Sequence, residues 1–224
     1  MSEYPDVTLR ISPDRGEISV DTHQTDGAIC HKSITAQTLM DCLLSSRYDE
    51  DDHATGLLPE NCIAAVMGTN CAHYYIRYPE LYADISYYGT EYLHFPLPRL
   101  VFAFKHLSAE GKVAGCRVCV VKDERLTPDT PTYSYPFSNV GGGGHICTGN
   151  NALPVYKDPA KLHTLAGYIL RLPNNDDYFS PQHNRGHLGY RDLLEHLKDR
   201  TPAYYYSDVL VEDRRTLRDF LNGR

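Results

Sequence analysis

The chain contains the stretch YSYPFSNVGGGGHICTGNN at residues 133–151. Two positions after Asn139, four successive glycines occur at Gly141, Gly142, Gly143 and Gly144. Cys147 follows after a short apolar step. Glycine loses more conformational freedom on folding than alanine does, which costs about 0.5–1 kcal/mol per residue in regular structure. Four glycines in succession therefore predict a loop whose backbone turns tightly or is closely approached by another group.

The loop separates two side chains that suit acyl transfer. The thiolate of Cys147 can carry an acyl group, and the amide of Asn139, eight positions earlier, can donate a hydrogen bond to a developing oxyanion. His145 shares a face with Cys147 in an extended segment, so its imidazole could hold the thiol ionised or accept a proton. A simpler interpretation stays open, in which Cys147 is a buried structural cysteine and His145 a solvated loop residue.

The charge balance of the chain is acidic, with 29 acidic and 22 basic side chains among 224 residues. We expect no nucleic-acid binding, because phosphate contacts require a concentrated basic face and the chain has no block rich in Lys or Arg. We also expect a cytoplasmic protein without a membrane span, since no leader pattern is present and no apolar run approaches the roughly 20 residues that a span requires. The seven cysteines are irregularly spaced, which is typical of reduced thiols.

The first part of the chain predicts a hairpin, a helix and a loop. Residues 7–11 and 17–21 alternate apolar and polar side chains on either side of a turn that contains Pro and Gly. Ser33 is the predicted N-cap of a helix. The apolar positions of this helix are Ile34, Leu39, Met40, Leu43 and Leu44. The acidic segment 48–56 is predicted to be a loop.

Four further strands are predicted, at residues 62–66, 73–78, 100–105 and 113–122, each bounded by Gly, Pro or Asp. Asp158 and Pro159 then predict a helix start. The apolar stripe of that helix consists of Leu162, Leu165, Ala166, Ile169 and Leu170. Two shorter helices are indicated by Leu193, Leu194 and Leu197, and by Leu217, Phe220 and Leu221. Strands first and helices last indicate an α+β fold with a largely antiparallel sheet.

Three other patterns give weaker indications of a site. Cys116 and Cys119 have the spacing of a zinc pair, but residues three apart on a strand point to opposite faces, and no second ligand pair is suitably placed. His183 and His187 lie around a glycine in a predicted loop, which favours surface histidines. The glycine run lacks the Lys-Ser/Thr of a phosphate-binding loop. We therefore expect neither a metal nor a cofactor.

The segment around Cys147 resembles the active-site segment of ubiquitin-conjugating enzymes. That family has His-Pro-Asn, then a turn with a glycine and then Ile-Cys, with eight positions from Asn to Cys. Asn139, Gly144, Ile146 and Cys147 match this pattern. The start of the predicted helix, Asp158-Pro-Ala160, is similar to the Ser-Pro-Ala helix start that follows the catalytic cysteine of the family.

The chain departs from the eukaryotic pattern in three respects. Phe137 and Ser138 replace His-Pro, the tryptophan after the cysteine is missing, and no long N-terminal helix opens the chain. These departures fit a more specific group. Residues 96–102, residues 113–122 and the Asn–Cys motif resemble the bacterial proteins called PRTRC system protein B, which are prokaryotic members of the ubiquitin-conjugating superfamily (family D). The resemblance follows the element order over residues 5–190, with its specific motifs between about 95 and 172.

The resemblance implies a ubiquitin-conjugating-enzyme-like α+β fold, an antiparallel meander sheet with helices packed on one face. Residues 91–224 would form the core with the C-terminal helices. Residues 1–90 would be a family-specific N-terminal half of the same compact unit. Cys147 is expected outside the sheet, near the start of the helix at 158–171.

The function implied by the resemblance is thioester carriage. Cys147 would accept a ubiquitin-like protein and transfer it to an amine, with Asn139 and His145 as further catalytic residues. The glycines would let the Gly-rich C-terminus of the ubiquitin-like protein lie close to the thiol. The implied partners are a ThiF-type adenylating enzyme, a ubiquitin-like protein and a JAB-type metalloprotease, often encoded on mobile elements.

Because the His-Pro pair is absent, an alternative function stays open. The chain could be a non-catalytic binding or scaffold module of a mobile-element-encoded complex, with Cys147 in a structural role. The sequence identifies neither the target amine nor the particular ubiquitin-like partner nor the oligomeric state. Whether the thiol of Cys147 is accessible to solvent depends on tertiary structure.

Overall fold

The computed structural model describes residues 6–12, 17–23, 27–45 and 56–223. By its packing the chain forms two compact units, residues 1–55 and residues 56–224. No helix within the described ranges is long and apolar enough to cross a membrane.

The first unit contains strands β1 (Asp6–Ser12), β2 (Glu17–His23) and β3 (Ile29–Ile34), followed by helix α1 (Ala36–Ser45). The strands form an antiparallel sheet in the order β1-β2-β3. The predicted hairpin of β1 and β2 is confirmed. Residues 48–55 of the predicted loop at 48–56 lie outside the described residues.

The predicted helix in the first unit is confirmed, but it begins later than the sequence suggests. Ser33 and Ile34 extend β3 along β2, so Ser33 is not the N-cap. Thr35 has that role, because its hydroxyl oxygen accepts a hydrogen bond from the backbone N–H of Thr38 at 3.1 Å. A strand therefore occupies the positions that the apolar pattern assigned to the helix start.

The strands of the second unit, in chain order, are β4 (Cys62–Met67), β5 (Cys71–Tyr78), β6 (Leu81–Tyr87), β7 (Thr90–Leu97), β8 (Leu100–Leu107), β9 (Lys112–Val121), β10 (Pro131–Tyr133) and β11 (Glu212–Thr216). Six of them form an antiparallel sheet in the order β11-β10-β9-β8-β5-β4. The four predicted strands correspond to β4, β5, β8 and β9.

Strands β6 and β7, which the sequence patterns did not indicate, form a separate two-stranded sheet. They are joined by Tyr88 and Gly89, which have φ angles of 45° and 79°. Two successive positive φ angles are typical of a tight hairpin turn. The division expected near residue 90 falls at this turn, inside the second unit. Because β5 pairs with β8 on the other side of the β6–β7 hairpin, residues 71–78 belong to the same sheet as residues 100–107.

The α-helices of the second unit are α2 (Leu165–Leu170), α3 (Tyr190–Leu197) and α4 (Leu217–Leu221). A 3₁₀ turn, Pro159–Thr164, leads into α2. The Asp158 carboxylate accepts a hydrogen bond from the backbone N–H of Ala160 at 3.0 Å, which confirms the predicted helix start. All five residues of the predicted apolar stripe are buried.

The main core lies on one face of the six-stranded sheet. On β8, Phe102 and Phe104 point to this face and pack with the α2 stripe and the leucines of α3. The alternate residues Val101 and Ala103 point to the other face, where they pack with Leu217 and Phe220 of α4. Helices therefore lie on both faces, and the expectation of helices on one face holds only for α2 and α3.

Candidate active site

Residues 139–147 form a closed hairpin that brings Asn139 and Cys147 together. The backbone N–H of Cys147 donates to the carbonyl oxygen of Asn139 at 2.8 Å, and Val140 pairs with Ile146 in an antiparallel bridge. Cys147 is exposed, which answers the accessibility question that the sequence left open. The eight-residue spacing of the motif is thus the length of one small hairpin.

The glycines form the tip of this hairpin and let it approach β9. Gly142–Gly144 is a 3₁₀ turn, in which Gly143 and Gly144 have φ angles of 69° and 78°. A Cβ atom at Gly144 would lie 2.3 Å from the backbone oxygen of Val118 on β9. The backbone N–H of Ile146 donates to the carbonyl oxygen of Cys116 at 3.0 Å. Only a residue without a side chain fits position 144, because β9 fills that space.

Asn139 is held from two directions. Its φ angle is 62°, a left-handed conformation that Asn adopts more readily than most residues do. Its backbone N–H donates to the carbonyl oxygen of Asp177 at 2.8 Å, and its side-chain amide donates to the carbonyl oxygen of Pro173 at 3.1 Å. The side chain therefore bridges the hairpin to the segment that follows α2. The amide nitrogen carries a second hydrogen that this bond leaves available.

Cys147 and Asn139 line the same cavity, which we call the thiol cavity. Ser138, Asn174, Tyr135 and Tyr190 contribute its other polar groups, and about 30 Å³ of it is open to water. This volume suits one or two water molecules rather than a substrate. The α2 residues that line the thiol cavity are Ile169 and Leu170, so Cys147 lies near the end of that helix and not near its start as expected.

Tyr190 is a polar residue of the thiol cavity that the sequence patterns missed. Its side chain is buried, and its hydroxyl makes no hydrogen bond of good geometry with any described residue, although Ser138 lies beside it. Burial raises the pKa of this hydroxyl above its ordinary value, so it stays protonated at neutral pH. No local pattern marks Tyr190, because it is forty-three residues away from Cys147 in the chain.

The four glycines line a second depression of about 260 Å³, which we call the glycine cleft. Its other walls include Tyr133, Tyr178, His183 and Arg215. His183 was expected to be a surface histidine; it is partly buried, and its Nδ1 atom has no hydrogen-bond partner among the described residues. His187 is exposed, as expected. The glycine cleft and the thiol cavity have Val118, Tyr135 and Val140 in common, so they are adjacent.

His145 lies apart from the thiol cavity. It pairs with Arg117 of β9 in an antiparallel bridge and lines a third depression, together with His73 and Arg117. No hydrogen bond joins the His145 ring to Cys147 in the described part of the chain. The structure therefore brings Asn139, Cys147 and the glycines together and places His145 at a different depression.

Cys116 and Cys119, which have the spacing of a zinc pair, do not lie together. Cys116 and Cys119 belong to the clusters on opposite faces of the sheet, as the strand geometry predicts. Within residues 6–12, 17–23, 27–45 and 56–223, no group of three or more His, Cys, Asp or Glu side chains could hold a metal ion.

A family model described as Prokaryotic E2 family D matches residues 36–165 of the chain, which is more than half of its length. The chain belongs to this family. The matched region includes the hairpin with Asn139 and Cys147, so membership in family D indicates a function related to ubiquitin-like conjugation. It also implies partners such as an E1-like enzyme and a ubiquitin-like protein. No curated protein and no solved structure matches the chain.

We expect Cys147 of this family D protein to be alkylated faster by iodoacetamide than its other six cysteines. Burial raises the thiol pKa of Cys62, of Cys116 (to about 12) and of Cys119, so these three should react slowly. Mass-spectrometric mapping after brief labelling measures the order. Cys30 and Cys42 are exposed and serve as internal references. A Cys147 rate no higher than theirs would show that the hairpin does not activate the thiol.

We expect Gly144→Ala to lower the free energy of unfolding by at least about 2 kcal/mol, because its Cβ would clash with the Val118 backbone at a positive φ angle. Gly142→Ala is the matched control, since a Cβ there has no atom within 4 Å and the φ angle is not positive. Urea unfolding measures both variants. Equal stability of the two would contradict the close approach of the hairpin to β9.

Proposed function

We propose that this protein carries a ubiquitin-like protein as a thioester on Cys147 and transfers it to an amine. The observation that carries the proposal is the closed hairpin, in which an exposed cysteine and an asparagine line one cavity. Family membership supports the same chemistry. We further propose that residues 56–223 adopt a fold of the ubiquitin-conjugating type, with its sheet and α2 as the common elements.

The proposed reaction has two steps. In the first, the Cys147 thiolate attacks the carbonyl carbon of the adenylated C-terminus of the ubiquitin-like protein. The C–S bond forms, the C–O bond to the phosphate breaks, and AMP leaves. In the second, an amine attacks the thioester carbonyl, the C–N bond forms, the thiolate leaves, and the amine loses a proton to a base or to water. A thioester suits this relay because the thiolate is a good leaving group.

Asn139 is proposed to stabilise the oxyanion of the second step. One N–H of its amide is occupied by the Pro173 carbonyl, which fixes the orientation of the side chain. The other N–H can then donate to negative charge that develops on the acyl oxygen. A donor that is held in place before the reaction is more effective than a mobile one, because it needs no reorganisation during the step.

The glycine cleft is proposed to hold the C-terminus of the ubiquitin-like protein. Glycines without side chains leave the backbone open to an extended peptide, and Tyr133 and Tyr178 provide walls against which such a peptide can pack. The cleft adjoins the thiol cavity, so an extended tail could reach the thiol.

Several finer expectations stay predictions. These are a catalytic role for His145, a ThiF-type adenylating partner, a JAB-type metalloprotease partner, membership of a PRTRC system on a mobile element, and a cytoplasmic location. The position of His145 in another depression favours a role outside the proton transfer.

One observation favours the second candidate function, a non-catalytic binding or scaffold module. The amide of Asn139 already holds the hairpin to the Pro173 carbonyl, which is a structural role sufficient to explain this residue. In a binding module the glycine cleft would still hold a partner, and Cys147 would form no adduct.

The proposed function predicts a thiol-labile adduct when the protein is mixed with its neighbour-encoded adenylating enzyme, the ubiquitin-like protein and ATP. Cys147→Ala should abolish the adduct, and Cys147→Ser should give an oxyester that resists thiols but is cleaved by base. Gel electrophoresis with and without reducing agent distinguishes the three proteins. Cys30→Ala is the control, because Cys30 is exposed but lies in the first unit. An adduct that persists in Cys147→Ala would remove this thiol from the mechanism.

The role of Asn139 is best tested with Asn139→Gly, because glycine accepts the positive φ angle that alanine would strain. Loss of the amide donor should slow transfer to an amine by roughly 10²–10³-fold while loading of Cys147 changes little. Single-turnover discharge of the purified thioester measures transfer, and the melting temperature is recorded in parallel. The melting temperature of Asn139→Ala, compared with that of Asn139→Gly, gives the additional cost of holding a residue with a Cβ atom at this positive φ angle. If loading and stability fall together in Asn139→Gly while discharge of the loaded fraction is unchanged, Asn139 is purely structural.

A further inference from the structure

Two hydrogen bonds from consecutive residues join the start of the hairpin to the segment that follows α2. The hydroxyl of Ser138 donates to the side-chain oxygen of Asn174 at 3.0 Å. The amide of the next residue, Asn139, donates to the carbonyl oxygen of Pro173 at 3.1 Å. Two neighbouring bonds hold a side chain in one orientation more firmly than a single bond does. We call this pair of bonds the asparagine clamp.

Asn174 anchors the asparagine clamp to β6. Its backbone N–H donates to the carbonyl oxygen of Ser86 at 2.9 Å, and its carbonyl oxygen accepts from the backbone N–H of Tyr88 at 3.2 Å. Its side-chain nitrogen donates to the carbonyl oxygens of Ser86 and Leu172. With the bond from Ser138, every polar atom of Asn174 has a partner. The segment that receives the clamp is therefore fixed to the sheet of β6 and β7.

The carbonyl group that accepts from the Asn139 amide belongs to the peptide group between Pro173 and Asn174. The N–H of the same peptide group donates to the carbonyl oxygen of Ser86. A chain of hydrogen bonds therefore runs from the Asn139 side chain through one peptide group to β6. Bonds in such a chain polarise and strengthen one another. The position of the Asn139 amide thus depends on where Asn174 holds this peptide group.

The bond from Ser138 to Asn174 is buried and has a fixed direction. Ser138 is 2% exposed. Its hydroxyl has one hydrogen to donate, and the side-chain oxygen of Asn174 can only accept. Because water has little access to Ser138, removal of the hydroxyl would leave the Asn174 oxygen without this partner, which costs more than the loss of a solvated bond.

The asparagine clamp gives a purpose to one departure from the eukaryotic pattern. Ser138 occupies the position of the proline in His-Pro-Asn, and proline has no hydroxyl that could donate to Asn174. The missing His-Pro pair is the feature that left a non-catalytic function open. The clamp fixes Asn139 without that pair, by a bond that the His-Pro-Asn pattern does not contain.

We propose that Ser138 and Asn174 are positioning residues for the reaction at Cys147. They hold the peptide group that fixes one N–H of the Asn139 amide, so that the other N–H is directed to the acyl oxygen of the thioester. This role rests on the proposed function, because it assigns a purpose to the Asn139 geometry in the transfer step. A misplacement of about 1 Å can cost roughly 10²-fold in rate, so the accuracy of the clamp is measurable.

The orientation of the amide can be measured without any thioester. The exchange of the Asn139 side-chain N–H groups with water is followed by NMR, and their signals are assigned by their loss in Asn139→Gly. Ser138→Ala should raise this exchange rate by at least about fivefold, because the neighbouring bond is lost. Asn174→Ala, which removes the other end of that bond, should raise it at least as much.

The side-chain amide of Asn184 is the internal reference for this measurement. It is buried and donates to the carbonyl oxygen of Leu188 at 3.0 Å, so it reports any general loss of stability. An unchanged exchange rate at Asn139 in Ser138→Ala would overturn the positioning role. An equal rise at Asn184 would do the same, because the effect would then not be local.

Single-turnover discharge of the purified thioester measures the catalytic consequence. Ser138→Ala should slow transfer to an amine by about tenfold and should have no further effect in the Asn139→Gly background, because Ser138 acts through that amide. Thr130→Val is the matched control. It removes a buried hydroxyl that accepts from the backbone N–H of Thr127 at 2.8 Å, in the loop between β9 and β10, and should change discharge by less than about twofold.

Two discharge results would overturn the positioning role. One is equal slowing in Ser138→Ala and Thr130→Val, and the other is equal slowing by Ser138→Ala with and without the Asn139 amide. An unmodified protein that forms no adduct would instead contradict the proposed function. In that case the exchange rates still decide whether the asparagine clamp holds the amide, so the two failures are distinguishable.

Discussion

The close approach of Gly144 to the backbone of β9 is the constraint on which the site depends. With no side chain at this position, the hairpin tip lies against Val118, and the next residues pair with β9. This contact fixes the plane of the hairpin relative to the sheet. In this orientation Cys147 lines the thiol cavity, and His145 lines the third depression. Because both residues belong to one hairpin, a shift of the hairpin would displace both of them.

The sheet beneath the hairpin has buried side chains on both of its faces. Alternate residues of β8 enter two hydrophobic clusters, one under α2 and α3 and one under α4. Buried aliphatic and aromatic side chains contribute about 1.5–3 kcal/mol each relative to exposure, so these clusters are the main source of stability for the strands that carry the site. A preorganised Asn139 amide is useful for catalysis only on such a support.

The two sides of the hairpin differ in electrostatic character. The thiol cavity is narrow, and its polar groups are neutral amides and hydroxyls, apart from the thiol itself. The depression that His145 lines is wide, and its basic residues are His73, Arg117 and His145 itself. Neutral donors suit a charge that forms and disappears within a reaction step, as in the function proposed for Cys147 and Asn139.

Local patterns in the sequence were sufficient for most of the helices, for the strands that carry the site, and for the pairing of Asn139 with Cys147. The apolar stripe of α2, the start at Asp158 and the length of the glycine hairpin all depend on residues that are close together in the chain. The sequence missed β3, β6, β7, β10 and β11, because these strands are defined by pairing with other strands rather than by a clear alternation of their own residues.

What only the tertiary structure decided is which groups meet across long sequence separations. An alternation rule predicts that His145 and Cys147 share a face, yet the bridge between His145 and Arg117 turns the imidazole to another depression. The burial of the Tyr190 hydroxyl and the position of α4 on the opposite face of the sheet likewise depend on contacts between distant segments. Such arrangements result from the sum of many contacts between distant segments, and no short stretch of sequence contains that sum.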